Sequence, residues 1–578
     1  MIDLARTLSS TPFARSIRLS VSLVLVGSSA LAQGYPLLNL FGTVGSDRFG
    51  HSVAAAGDLN GDGFADVIVG APQDFTLPIA GYARVFSGAD GAVLLLLVGS
   101  AGDRFGWSVA GAGDLSGDGV PDLLVGAPYA DPMGLSNAGR AQAHSGAGGG
   151  LLFTVEGAAA GDSLGESVAG AGDVDGDGFP DLAIGAPQSP YSPTVFGYAV
   201  VVPGTGGAPI FTVAGGASGD AFGYSVAGAG DVNGDGLADV IVGAPQVIPG
   251  GTGYSKVFAG PSGALLLTFS GSAAFEGFGS VVASPGDLTG DGNADLLVGA
   301  YNAYGIGPYA GLFGAGRVDA FSGASGASLY SVGGTSAYEY FGISVAGVGD
   351  LDGDAFPDFV AGASAADPGG LANAGEVRAF SGASASPLAT ISGTLVGREL
   401  GSSVAGAGDV NADGVPDWIG GAPALPAGSG PDSGRARVDS FAGVPAGSGL
   451  FGAGCPGTGG AIPRIQTAGG APSIGNAGFR LVLSKALGTA NALLVIGASP
   501  ITVNLAGIGL PACDLLVSPD VLVPIATTPA GLEVVAAAVP ADPALVGGLV
   551  QVQGYVIDPG PLPVPGSLTN RLEVQILP

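Results

Sequence analysis

The sequence predicts an all-β chain: a seven-bladed β-propeller of four-stranded blades, followed by a small C-terminal β-sandwich-like domain. Three observations carry this reading. An Asp/Gly-rich loop, GDLNGDGFAD at residues 57–66, returns six more times, with its first Asp at 58, 114, 173, 231, 287, 350 and 409. The spacing stays between 56 and 63 residues, and each unit breaks into four short apolar runs with no amphipathic helical pattern between them. Finally, PLLNLFG at 36–42 matches the last strand of a unit but precedes the first loop, while the seventh unit stops after RVDSFAG at 437–443. The N-terminal strand is therefore expected to complete the seventh blade and remove the open sheet edge.

The first 32 residues read as an export signal. Arg6, Arg15 and Arg18 precede the apolar run VSLVLV at 21–26, and Ala30-Leu31-Ala32 fits a small-x-small cleavage site. The run is well short of the roughly 20 residues that span a bilayer. The propeller is expected over 36–445. Within it each unit opens on an aromatic residue or Leu followed by Gly: Phe49-Gly50, Phe105-Gly106, Leu164-Gly165, Phe222-Gly223, Phe278-Gly279, Phe341-Gly342 and Leu400-Gly401. A small-residue strand such as SVAGAG at 108–113 follows and runs into the acidic loop. Its composition suits the innermost position, where strands converge on the channel and large side chains do not fit. An apolar strand closed by Gly-Ala-Pro comes next, as in DVIVGAP at 239–245, and two more strands complete the unit, as in 81–88 and 92–99.

The repeated loop has the form D-x-[DNST]-x-D-G-x-x-D. Side-chain oxygens at its positions 1, 3, 5 and 9 and the carbonyl of position 7 can surround a hard cation. In chain order these sets are Asp58, Asn60, Asp62 and Asp66 with the carbonyl of Phe64; then Asp114, Ser116, Asp118 and Asp122 with Val120. The third and fourth are Asp173, Asp175, Asp177 and Asp181 with Phe179, and Asp231, Asn233, Asp235 and Asp239 with Leu237. The fifth is Asp287, Thr289, Asp291 and Asp295 with Asn293; the sixth is Asp350, Asp352, Asp354 and Asp358 with Phe356. Asp409, Asn411, Asp413 and Asp417 with Val415 close the series. Up to seven Ca²⁺ ions are expected, in a structural role. An EF-hand is excluded, because Val69 rather than Glu stands at position 12 of the first loop and the flanks alternate as strands. In the sixth loop Ala355 replaces the turn Gly, which is expected to strain it.

Composition narrows the function classes. The chain has 110 Gly and 41 Pro among 578 residues but no Gly-X-Y period, which excludes collagen. Against 47 Asp+Glu there are 17 Lys+Arg, a net charge of −30, and such a field repels nucleic acid and anionic membranes. Two His and two Lys provision general acid–base chemistry poorly, so no catalytic residue is assigned and no enzyme is expected. Cys455 and Cys513 are the two cysteines, and in an oxidising compartment they are expected to form one disulfide. No transmembrane segment is read beyond the signal, and a monomer is expected.

The Phe-Gly and Gly-Ala-Pro signatures, the Asp loops between them and the count of seven resemble the FG-GAP repeats of the integrin α-subunit propeller and its bacterial relatives. The resemblance covers roughly residues 36–445. It departs at Leu164 and Leu400, which stand for Phe, and at Tyr301 and Ser364, which stand for the Pro of Gly-Ala-Pro. Integrin relatives carry the calcium loop in only some blades, whereas here all seven have it. If the blades run as in integrins, the acidic hairpins share one face, and the loops after Gly-Ala-Pro and before Phe-Gly share the other. The longest of these, at 301–316, carries Tyr301, Tyr304, Tyr309 and Phe313 as candidate ligand contacts; Phe75, Tyr129, Tyr191 and Tyr338 could join them. Either these rings recognise a partner or they fill gaps between blades.

After a Gly/Pro linker at 446–460, residues 461–578 form a Pro-punctuated series of short strands. The resulting expectation is an exported calcium-binding propeller acting in binding or adhesion at the cell surface or outside the cell, with an extracellular protein or glycan as partner and no nucleic acid. A lectin-like, carbohydrate-binding propeller is the alternative. A non-catalytic part of a hydrolase system is a third reading, since such repeats also accompany phospholipase D-type domains.

Overall fold

The computed structural model describes residues 35–441 apart from 44, 46, 74–78, 189–195, 247–249 and 424–433, together with the backbone of strands between Leu450 and Gln575. The expected signal segment 1–32, the linker 446–460 apart from Leu450–Phe451, both cysteines and the packing of 461–578 lie outside the described residues. So do Phe75 and Tyr191.

The blade is the repeating unit, and the first shows its logic. Strands β2 (Ser52–Gly57), β3 (Asp66–Ala71), β4 (Ala80–Phe86) and β5 (Val93–Ala101) pair in that order, all antiparallel. Five further four-stranded sheets repeat the arrangement as blades two to six. In the seventh, Ser403–Gly408, Asp417–Ala422 and Arg435–Ser440 are joined by β1 (Tyr35–Phe41), which pairs antiparallel with Arg435–Ser440. The ring is thus closed by the N-terminal strand, as the sequence leads one to expect. Among the described residues the helical content is three single turns of 3-10 helix. Among the described residues no helix is long and apolar enough to cross a membrane.

Innermost strands pack against one another around the ring, the first contacting both the second and the seventh. The spacing explains their composition. A Cβ added at Gly111 would lie 2.6 Å from the carbonyl oxygen of Ala55, and one at Gly170 would lie 2.9 Å from that of Gly111. The second strand of every blade is buried along its whole length. It is covered on both faces by neighbouring blades, so it reads as a continuous apolar run instead of alternating. The outermost strand meets water: Val93, Leu96 and Val98 are all exposed.

The core consists of seven apolar seams, each shared by two blades. Ile68, Val85 and Leu97 of the first blade pack with Val109, Leu123 and Val125 of the second, and Phe105 sits among them. The closing seam joins Val410, Ile419 and Val438 to Val53, Val67 and Val69, with Leu40 of β1 and Phe49. Each fully buried Phe of the Phe-Gly pairs contributes roughly 1.5–3 kcal/mol by its removal from water. The following Gly is required by its backbone: at Gly106 φ is +86°, and a Cβ would come within 2.3 Å of the Tyr82 carbonyl oxygen.

Candidate functional site

The acidic loops all stand at the turn between the first and second strands, and therefore on one face. In the first loop, Asp58 accepts backbone N–H bonds from Gly61 at 2.8 Å and Gly63 at 2.8 Å, while Asn60 accepts from Asp62 at 2.9 Å. The position-1 carboxylate is thus the hub around which the loop folds. At the fully exposed Asp114 the N–H bond from Gly119 leads the interactions that hold the carboxyl below its ordinary range. Ala355 does adopt φ +71°, and Ala412 in the seventh loop adopts +56°, both costly for a residue with a Cβ.

Position 9 behaves differently from the exposed members. Asp66, Asp122, Asp181, Asp239, Asp295, Asp358 and Asp417 are all fully buried. Asp239 accepts the Val232 N–H at 2.9 Å with one oxygen and the Gly260 N–H at 3.1 Å with the other, joining its loop to the end of the third strand. Burial raises its pKa to about 6 against the effect of those two bonds, and Asp358 is likewise raised to about 6. In the third loop carboxylate oxygens of Asp173, Asp175 and Asp181 lie within 4.8 Å of one another, as do those of Asp350, Asp352 and Asp358 in the sixth. An all-oxygen cluster of that size fits a hard divalent cation. In the other five loops position 3 is Asn, Ser or Thr, so the side-chain set holds three carboxylates.

A second acidic series escaped the sequence reading. Two residues before six of the seven Phe-Gly or Leu-Gly pairs stands Asp47, Asp103, Asp162, Asp220, Glu276 or Glu339. Each answers a partner at or near the start of the next blade's third strand. Tyr82 donates its hydroxyl to Asp47 at 2.5 Å, Tyr198 to Asp162 at 2.9 Å and Tyr254 to Asp220 at 2.5 Å. Arg317 grips Glu276 with both terminal nitrogens at 3.1 Å, and Arg378 grips Glu339 with both at 2.9 Å. Arg140 approaches Asp103 at 3.7 Å. These clamps fasten neighbouring blades on the face opposite the acidic loops. The signal was present as a carboxylate at a fixed offset from Phe-Gly, but its partner is 34 to 41 residues away and changes between Tyr and Arg.

On that face the predicted aromatics divide into two groups. Tyr304, Tyr309, Phe313 and Tyr338 are 40–56% exposed, which does not fit filler between blades. Phe313 lies between Tyr304 at 5.4 Å and Tyr338 at 5.5 Å, ring centre to ring centre. Tyr301 is drawn inward instead, edge-on to Tyr340 at 6.0 Å. Tyr129 packs near Trp107 at 5.8 Å, close to the start of the innermost strands. There His51 meets Trp107 edge-on at 4.4 Å, and burial, then Arg48, lowers the His51 pKa to about 3. His51 therefore sits at the opposite end of its strand from the loop it neighbours in sequence. Glu166, raised to about 7 by burial and held back by a hydrogen bond to Trp107, stands beside Tyr224.

A family model described as FG-GAP repeat matches residues 49–96, 105–144, 164–202 and 222–258, the first four blades. The chain carries FG-GAP repeats. Blades five to seven repeat the same strand order and acidic turn. Over 176 residues the FG-GAP chain is 36% identical to integrin alpha-7 of Rattus norvegicus, covering 28% of this chain and 15% of that protein. It is 35% identical to integrin alpha-3 of Cricetulus griseus over 162 residues, covering 25% and 15%. With integrin alpha-IIb of Homo sapiens the identity is 39% over 155 residues, covering 24% and 14%. The chain thus spans about 15% of the length of the curated relatives it matches.

Proposed function

We propose that this FG-GAP propeller is an exported binding or adhesion module, working at the cell surface or outside the cell, with calcium in a structural role. The observation that carries the reading is the exposed cluster of Tyr304, Phe313 and Tyr338 on the face that the acidic turns leave free. Rings half out of water on a rigid scaffold offer large contact area at little cost in conformational entropy. The likeness to integrin α subunits supports the same class of role. In this reading residues 1–32 are a signal peptide, 446–460 a linker and 461–578 a separate β-sandwich-like domain stapled by Cys455 and Cys513. The acidic turns would hold calcium through the oxygens of positions 1, 3, 5, 7 and 9, fastening each hairpin without taking part in a reaction.

The partner is an extracellular protein or a glycan. A lectin-like role is favoured by the same tyrosines, since aromatic faces stack on sugar rings. A glycan array and binding to native cell surfaces, run with wild type and with the double variant Tyr304→Ala, Tyr338→Ala, separate the two. Binding is expected to fall at least ten-fold in the variant at unchanged melting temperature. Wild-type binding by the variant would end the assignment to this face. Signal on the array but not on glycan-stripped cells selects the lectin reading.

A further inference from the structure

The exposed rings on the face away from the acidic turns extend beyond the Tyr304, Phe313 and Tyr338 cluster. Phe275, in the loop before Phe278-Gly279, is 56% exposed, and Tyr309 is exposed as well. Three loops carry these rings, at 270–277, 301–316 and 334–340, and hydrogen bonds tie them together. Tyr338 donates its N–H to the Phe313 carbonyl and Tyr340 to that of Gly314, both at 3.0 Å. Asn302 donates its N–H to the Glu276 carbonyl at 3.0 Å and its side-chain amide to the Phe275 carbonyl at 2.7 Å. The 301–316 loop is thus pinned from both sides, and its rings sit on a fixed support.

This surface is uncharged and amphipathic. Within the three loops the charged residues are Glu276 and Glu339, and both are buried. Arg317 grips the first and Arg378 the second, each through two hydrogen bonds. The adjoining stretch PQVIPGGTGY at 245–254 has no charged residue either. The hydroxyls of Tyr304, Tyr309 and Tyr338 form no hydrogen bond with another described residue, so they face water. The planes of Tyr304 and Tyr338 meet that of Phe313 at 75° and 63°, which makes the cluster stepped instead of flat.

A ligand that covers these rings has to satisfy both halves of each tyrosine. Phenol hydroxyls taken out of water need new partners, and an apolar protein anchor supplies none. A sugar unit brings C–H faces that lie against an aromatic ring and a rim of hydroxyls that donate and accept. Charge narrows the class further. With 17 Lys+Arg against 47 Asp+Glu, the field of the chain opposes sulfated and uronic acid sugars. Arg317 and Arg378, which adjoin the loops, are already paired with Glu276 and Glu339. A stepped cluster also offers no plane on which the surface of a crystalline polysaccharide could lie. We propose that Phe275, Tyr304, Tyr309, Phe313 and Tyr338 form a binding surface for a single chain of a neutral, soluble polysaccharide. The proposal rests on the binding role assigned to this face and names the chemistry of its partner.

The test is native affinity electrophoresis of the full chain in calcium-containing buffer, with dextran, laminarin, galactomannan or hydroxyethylcellulose cast into the gel. Retardation by at least one of the four is expected. The carboxymethylated form of the retarding polysaccharide is expected to bind about ten-fold more weakly at low salt, with the gap narrowing as NaCl is raised. The triple variant Tyr304→Phe, Tyr309→Phe, Tyr338→Phe keeps every ring and removes only hydroxyls that the protein does not use. It is expected to melt like wild type and to bind about ten-fold more weakly. Phe275→Ala is the second variant, with about five-fold weaker binding expected. No retardation by any of the four, equal binding of the carboxymethylated form, or wild-type binding by the triple variant overturns the proposal. Its failure is distinct from failure of the binding role. If no polysaccharide retards the chain while Tyr304→Ala, Tyr338→Ala abolishes binding to glycan-stripped cells, the face binds a protein and only the polysaccharide is lost. Wild-type cell binding by that double variant removes the binding role itself.

Discussion

At the scale of single residues, the buried acids divide by what surrounds them. Six of the seven position-9 aspartates, Asp417 excepted, spend both oxygens on backbone N–H groups, whereas Glu166 is held by the Trp107 hydrogen bond and stands beside the Tyr224 phenol. Its raised pKa means that the folded state binds the proton more tightly than the unfolded chain does. The corresponding stabilisation is complete below the unfolded value of 4.5 and is lost as pH rises through about 7. Glu166→Gln, which cannot ionise, is therefore expected to melt higher than wild type at pH 8, with the difference disappearing by pH 4. Thermal denaturation at the two pH values checks this, and a difference that grows towards pH 4 would refute the sign. Much of this scale was legible in the sequence, because the Asp loops announce themselves by exact repetition. The Asp47–Tyr82 type of clamp was not. Repetition reveals positions, whereas a clamp is a pair, and its second member is chosen by which strand lies alongside.

Among elements, β1 carries the closing burden. Its Leu40 is buried in the seam between the seventh and first blades, and its pairing with Arg435–Ser440 gives the seventh blade its fourth strand. Deleting residues 35–41 from the mature chain leaves Arg435–Ser440 as an unpaired edge and opens the closing seam. A fall in melting temperature of at least 10 °C, with concentration-dependent association through the free edge, is expected by calorimetry and light scattering. An unchanged melting temperature would show that the ring closes by inter-blade packing alone. The sequence exposed this element because PLLNLFG stands out of phase with the units around it. What it left open lies at the neighbouring junction of blades six and seven, where Arg398, Arg435 and Arg437 line one cleft although 37 residues separate the first two in chain.

For the whole molecule, electrostatics couples folding to ions. The seven turns gather 23 carboxylates at their side-chain ligand positions, about half of the 47 acidic residues, on one face of the ring. Without cations these groups repel one another, and in the proposed role calcium bound only to the folded turns would stabilise by mass action. Adding EGTA is expected to lower the melting temperature, and excess CaCl₂ to restore it. Raising NaCl in EGTA is expected to recover part of the loss, because screening weakens the repulsion but supplies no ligand geometry. A melting temperature indifferent to EGTA would remove calcium from the account.

The sequence by itself determined the blade count, the order of strands within a blade, the closing strand and the positions of the acidic turns. Each is a local or periodic property, fixed by side-chain size and backbone freedom over a few residues. Only the tertiary structure decided which residues meet across blades. It drew Tyr301 inward but left Tyr304, Phe313 and Tyr338 in water, moved His51 away from its loop, and buried the ninth residue of each turn. It also brought three arginines of an acidic chain into one cleft. Those outcomes depend on the ring, which places residues 35 to 57 positions apart in chain within contact, and no periodicity in a single strand encodes that.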